Sequence, residues 1–386
     1  MSEGPSDTAQ AAISGSERLA RIRLALSDNV GPATWHQLMD RYGSGEAALA
    51  HLPELAQRAG AGRRIRLFAE ADALAVVEKT DRLGGCILMP GDPHYPELLV
   101  QTGQAPPLLF ALGRTSILQE PCCGIVGSRN ASANGKRFAR EIATALGRAG
   151  HAVVSGLARG IDTAAHQASL GTGTIAVMAT GLDVIYPDEN SELAEQIAET
   201  GCVVTEMPPG TRPRAELFPR RNRIIAGLAS AVVVIEAAIR SGSLITARLA
   251  NELGRDVYAM PGSPYDPRSA GTNRLIRDGA ALLADPQELI RDLRDQHTSH
   301  LQFREGQPAP HWKRSMEPPD QTAVTTINVE AAQRVVLELL GTDPVEVDDL
   351  IRESGYGPKE VHEVLLRLDL AGQLERHSGQ RVSLVH

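Results

Sequence analysis

The 386-residue chain is 42% hydrophobic and 22% charged with a formal net charge of -8, the balance of a soluble globular protein of two or three domains rather than a fibrous or membrane-embedded one. Only 3% of it is aromatic, so each exposed ring invites a functional question. The longest apolar run, Ala231 to Ile239, is interrupted by Glu236 and too short to span a bilayer.

In chain order, "MSEGPSDTAQAAISGSE" lacks the basic start and apolar core of a signal peptide, so the expectation is a disordered tail over 1–16 and a cytoplasmic protein. From residue 17 to 84, "RLARIRLALS", "ATWHQLMDRYG", "GEAALAHL" and "IRLFAEADALAVVEK" carry apolar residues at three-and-four spacing, the mark of a small helical domain. Gly31 and Pro32 sit where a turn meets a helix start, which suits a helix-hairpin-helix (SAM/HhH-like) unit. Charge is balanced between Glu17 and Arg82, so packing outranks DNA contact there.

From 85 to 295, apolar β-rich runs ("GCILMP", "GIVGS", "AVVSG", "TIAVMATG", "CVVTEM", "SAVVVIEA", "DVYAMPG") alternate with helical stretches. Strands this continuously apolar need both faces covered, which predicts an α/β, doubly wound, Rossmann-like parallel sheet with ligands at the strand C-terminal ends. The polar, proline-bearing stretch 296–328 reads as a linker. After it, 329–386 reads as three helices and a β-hairpin turning at Ser378 and Gly379, a winged-helix-like domain. That domain holds 6 Lys+Arg against 11 Asp+Glu, which argues against a phosphate-binding face. Its third helix, Pro358 to Leu370, is expected to expose Glu360, Glu363 and Asp369 beside Lys359 and Arg367 for a protein contact.

Three loops of the central domain carry binding chemistry. In "GIVGSRNASANGKR", Gly127, Ser128 and Arg129 follow a strand and precede a helix whose N-terminus and amides suit a phosphate, although the dinucleotide fingerprint is absent. In "SGLARGIDTAAH", Gly156 ends a strand, Asp162 is placed to cap the next helix, and His166 is better read as a satisfied histidine than as a base. In "EAAIRSGSLITARLA", Ser241, Gly242 and Ser243 open another helix. Three such loops on one sheet edge would form a row of anion sites.

The stretch Thr211 to Arg223, "TRPRAELFPRRNR", sets five arginines against one glutamate. Its prolines predict an irregular loop at the same edge, with Arg212, Arg214, Arg220, Arg221, Asn222 and Arg223 on phosphates and Phe218 as a stacking face. The competing reading packs Phe218 under the loop and pairs Arg221 or Arg223 with Glu206, Glu216 or Glu236. For five arginines together in an acidic protein, a polyanion partner is the better account. Four cysteines lack CxxC spacing and the histidines form no i, i+4 pair, so no metal or other cofactor is expected.

"GIVGSR", "VVSGLARGIDTAAH", "GLDVIYP", "FPRRNRIIAGLA", "EAAIRSGSLITARLA" and "MPGSPYDPRSAGTNRLIRDGA" together closely resemble the DprA/Smf (DNA-processing protein A) family, densely from Met89 to Ala284. The resemblance implies a non-enzymatic protein of bacterial natural transformation that binds and protects incoming single-stranded DNA and loads the RecA recombinase. It also implies a homodimer formed through the Rossmann-like domain. By motif matching it places Arg129, Phe218, Arg221 to Arg223 and Ser241 to Ser243 at a DNA groove. Where the family often has lysines just before the motif phenylalanine, the nearest basic residues here are Arg212 and Arg214, with Ala215 three places before Phe218. The rival reading, a nucleotide-binding enzyme of the phosphoribohydrolase type, calls for a PGGxGTxxE-like motif where this chain has "EAAIRSGSLITAR". A winged-helix transcription regulator, a third reading, would need the basic charge on the other domain.

Overall fold

The structure is a computed structural model that describes residues 14–58, 66–295, 329–377 and 379–385. The linker expected over 296–328, residues 1–13 of the expected tail and the hairpin position Ser378 lie outside the described residues. The chain divides into two compact units, Met1–Ala75 with Val329–His386, and Val76–Asn328.

In the first unit, α1 (Gly15–Leu26), α2 (Pro32–Tyr42) and α3 (Gly45–Arg58) follow the apolar spacing. Gly31 is the N-cap of α2 and Pro32 its first residue, where a missing N–H costs nothing. The Glu17 carboxylate accepts from the backbone N–H of Gly45 and Glu46 at 2.7 and 3.1 Å, which fixes the start of α3 against α1. The next helix, α4 (Glu70–Arg82), carries the chain onward into the second unit.

The second unit is a nine-stranded sheet. Its strands are β1 (Gly85–Leu88), β2 (Leu109–Gly113), β3 (Cys122–Gly127), β4 (Ala152–Ser155), β5 (Thr174–Val177), β6 (Cys202–Thr205), β7 (Ala231–Ile235), β8 (Asp256–Ala259) and β9 (Ala281–Leu282). They lie in the order β1-β2-β6-β5-β4-β3-β7-β8-β9. From β6 to β9 all pairs are parallel, but β2 runs antiparallel to both β1 and β6, so the sheet is mixed rather than wholly parallel.

The helices are α5 (Glu97–Val100), α6 (Ala133–Arg148), α7 (Ile161–Ser169), α8 (Ser191–Thr200), α9 (Leu217–Leu228), α10 (Gly242–Glu252), α11 (Ala270–Arg277) and α12, over 286–295. Along β7, Val232 and Val234 join a core with Ile224, Leu228 and Ala247 of α9 and α10. Ala231, Val233 and Ile235 pack instead with Ile142 of α6, Ile161 of α7 and Leu289 of α12. Two buried faces explain why these strands read as unbroken apolar runs.

In the C-terminal part of the first unit, α13 (Val329–Leu339), α14 (Val347–Ser354) and α15 (Pro358–Leu370) pack with a three-stranded sheet of order β10-β12-β11, made of β10 (Val345–Glu346), β11 (Leu374–His377) and β12 (Arg381–Leu384). Val361, Val364, Leu365 and Leu368 of α15 enter this module's own core. Leu366 and Leu370, on another face, join Trp35, Leu38 and Leu52 of the N-terminal helices. Glu363 pairs with Arg41, Asp369 accepts from the Thr34 hydroxyl and from Arg376, and the Leu370 carbonyl accepts from Asn29. The expectation that Glu363 and Asp369 are exposed is thereby corrected, because the N-terminal helices cover them.

Candidate nucleic-acid interface

The strand order creates a switch point. From β3 the chain winds outward through β4 and β5 to β6, and then returns to place β7 on the other side of β3. Loops leaving the C-terminal ends of β3 and β7 diverge, and such a crevice is where open α/β sheets bind ligands. Here it is a cleft of about 510 Å3 lined by Gly127, Ser128 and Arg129 after β3, by Phe218, Arg221 and Asn222 of α9, and by Ser241, Gly242 and Ser243 at α10. Nine of the residues singled out in the sequence therefore meet there.

Close packing dictates the glycines. A Cβ at Gly127 would overlap the Ile235 carbonyl and the Ile161 side chain. At Gly156 it would overlap the Arg221 guanidinium, so that glycine makes room for a buried arginine rather than for a ligand. Arg221 Nη1 donates to the Val177 carbonyl at 2.9 Å, while its Nε, buried, has no hydrogen-bond partner among the described residues. Burial pulls the guanidinium down to about 10, opposed by the Asp162 charge, so it stays cationic at neutral pH.

The loop amides are less available than the sequence implied. Asp162 lies inside the first turn of α7 behind the N-cap Gly160, and its carboxylate accepts from the N–H of Gly156 and Ala158 at 3.1 and 3.3 Å, bracing the loop instead of capping the helix. Burial raises the Asp162 carboxyl, against the pull of Arg221 and these amides. At the start of α6 the carboxylate of Glu236 accepts from Ser132 N at 2.8 Å and pairs with the Ser132 hydroxyl, while that hydroxyl accepts from Gly135 N. The α6 N-terminus, expected to hold a phosphate, is thus occupied by the protein's own anion. By contrast, α10 is capped by the neutral Ser241 hydroxyl, which leaves its positive dipole end open to the crevice.

With the amides engaged, positive charge comes from side chains. Exposed Arg129 sits over the Phe218 ring, 5.3 Å from its centroid, and the Tyr186 ring stands tilted against Phe218 with centroids 5.6 Å apart. Tyr186 and Arg240 were not singled out in the sequence; the first is 44% exposed and the second lines the cleft beside Ser241.

The basic stretch itself splits. Residues 217–228 form α9, not an irregular loop, because Pro219 falls in the first turn, whose N–H groups have no helical acceptor. Arg220 and Arg223 turn away from the cleft to Glu206, a carboxylate 5% exposed; Arg220 is 2.9 Å from it, and Arg223 also donates to the Gln104 carbonyl. Arg212 and Arg214 are exposed on the loop after β6, at the same sheet edge but outside the cleft. His166 is fully buried between Thr174 and the Leu157 N–H, and burial pulls it down to about 3, so it is neutral.

Comparison with known proteins now decides the family. The family model of DNA recombination-mediator protein A matches residues 86–294, the DprA-like N-terminal HHH domain matches 15–78, and the DprA winged helix domain matches 317–380. The chain belongs to the DprA family. It is 39% identical to protein Smf of Escherichia coli over 306 residues, covering 77% of each chain. The solved structure of DprA from Streptococcus pneumoniae superposes with a TM-score of 0.63 at 35% identity, covering 72% of this chain and 98% of that one. DprA from Helicobacter pylori, whose structure was described for its single-stranded DNA binding mode, gives a TM-score of 0.51 at 28% identity over 55% of this chain and 96% of that one. A helical HHH domain, a Rossmann-like mixed-sheet core and a winged helix are thus this DprA-family chain's architecture. Among the described residues no helix is long and apolar enough to cross a membrane.

Proposed function

We propose that the switch-point crevice is a groove for single-stranded DNA, and that this cytoplasmic protein protects incoming single strands in natural transformation and loads RecA onto them as a homodimer formed through its Rossmann-like domain. The observation that carries the reading is the composite rim of Arg129 stacked on Phe218, with Tyr186 beside it and buried Arg221 beneath. It offers a π-face for a base and cations for its phosphate, the combination single-strand grooves use. The membership of the DprA family and the H. pylori relative support the choice of ligand.

A binding role is favoured over the phosphoribohydrolase alternative because the nearby carboxylates Asp162 and Glu236 are held by backbone amides and His166 is buried and neutral. The test is fluorescence anisotropy of labelled single-stranded and duplex oligonucleotides across a salt series. Preference for single strands with log K falling at a slope of about -0.7 per phosphate contacted is expected. Equal binding of duplex, or affinity indifferent to salt, contradicts the groove. RecA assembly on single strands coated with a single-strand-binding protein, with and without this chain, tests loading, and light scattering tests the dimer.

A further inference from the structure

On the outer face of α6, Lys136, Arg140, Thr144 and Arg148 recur at every fourth position and so stand in one row, spanning about 18 Å along the helix. Lys136, Arg140 and Arg148 are exposed, and among the described residues none of the three makes an ion pair. The carboxylates nearby are engaged: Glu141 faces Arg137 at 3.5 Å, and Asp285 accepts from the Gln287 N–H at 2.9 Å at the start of α12. Between α6 and α12 lies a cleft of about 540 Å3 lined by Arg140, Thr144 and Arg148 on one side and Arg294 on the other, with the engaged carboxylates of Glu141 and Asp285 also on its walls.

Lys136 and Arg140, four residues apart on the helix, repel one another, and Arg148 adds a third cation to the row in a chain of net charge -8. A polyanion lying along it would turn that repulsion into attraction. The position of the row names the polyanion. The α6 N-cap, Ser132, is three residues beyond Arg129 of the crevice, so the row begins at the crevice mouth and leads away from it over the sheet face.

We infer that the α6–α12 face is a second phosphodiester track, which receives the strand as it leaves the crevice and lengthens the DNA footprint without reading bases. This rests on the single-strand reading above. It carries arginines and a hydroxyl but no aromatic ring among the residues lining the cleft, so it contacts backbone alone.

The test compares two labelled single strands, one of about 6 nucleotides, which fits one site, and one of about 30, which reaches both. The full chain carrying Arg140→Ala/Arg148→Ala should bind the short strand like wild type, and should bind the long strand more weakly, with a salt slope reduced by about 1.4 for two lost phosphate contacts. Arg140→Lys/Arg148→Lys should keep most of the slope. Unchanged long-strand binding, or equal weakening on both lengths, overturns the track while leaving the crevice standing, provided that Arg129→Ala weakens both lengths. Failure of the wild type to bind either strand overturns crevice and track together.

Discussion

Gly156 and Arg221 account for each other. A side chain at 156 would occupy the space of the guanidinium that reaches the Val177 carbonyl, so the strand-end glycine that looks in sequence like a phosphate loop serves a buried arginine 65 positions later. Nothing local to "SGLARG" carries that information. Phe218 and Arg129 were legible as separate candidates, from a rare ring and an arginine after a strand, but their stacking depends on α9 meeting the β3 loop. His166 was readable as a satisfied histidine, and its burial gives a pH signature. The native imidazole is held at about 3 against 6.5 when exposed. Between those values the unfolded chain binds a proton that the native one does not, so its contribution is complete above about pH 6.5 and is lost as pH falls toward 3. Near pH 5 the loss is on the order of 2 kcal/mol, while Asp162, raised by burial, slopes the opposite way. Urea unfolding at pH 7 and pH 5 should therefore show a larger drop for wild type than for His166→Asn. Equal drops would mean that the ring is protonated in the native state.

At the scale of elements, periodicity located the helices and apolar runs located the parallel strands. Two kinds of feature escaped it. The strand β2 is fixed by antiparallel pairing with β1 on one side and β6 on the other, and the edge strand β9 has two residues, too few for any pattern. The prolines before and within α9 masked a helix that starts just ahead of Pro219, since an N-terminal turn tolerates proline where an interior turn does not. For α15 the sequence placed the acidic residues at the surface, because Arg41 and Thr34, which cover Glu363 and Asp369, lie more than three hundred residues away. Leu366 and Leu370 make α15 a docking helix for the N-terminal bundle. Leu366→Ala should lower the stability of this unit by about 2 to 5 kcal/mol. Arg41→Glu should cost less, and adding Glu363→Arg should restore part of it. Chemical unfolding of the full chain followed by Trp35 fluorescence checks both, and a neutral Leu366→Ala would place that side chain outside the core.

Over the whole molecule, the acidic total conceals a local cluster of cations on the Rossmann-like domain. Glu206 neutralises Arg220 and Arg223, while Arg129, Arg221, Arg240 and the α6 row keep their charge facing solvent or the crevice. Residue types alone suggested a polyanion partner and the family motifs named it, but the site itself required the strand order that sets β3 beside β7. The central claim, that Arg129 holds phosphate while Phe218 holds a base, is tested most directly by anisotropy of one labelled single strand against wild type, Arg129→Ala and Phe218→Ala across a salt series. Arg129→Ala should lower the salt slope by about 0.7, and Phe218→Ala should weaken binding by about 1 to 3 kcal/mol at every salt concentration with little change in slope. Wild-type affinity and slope in both variants would contradict the account.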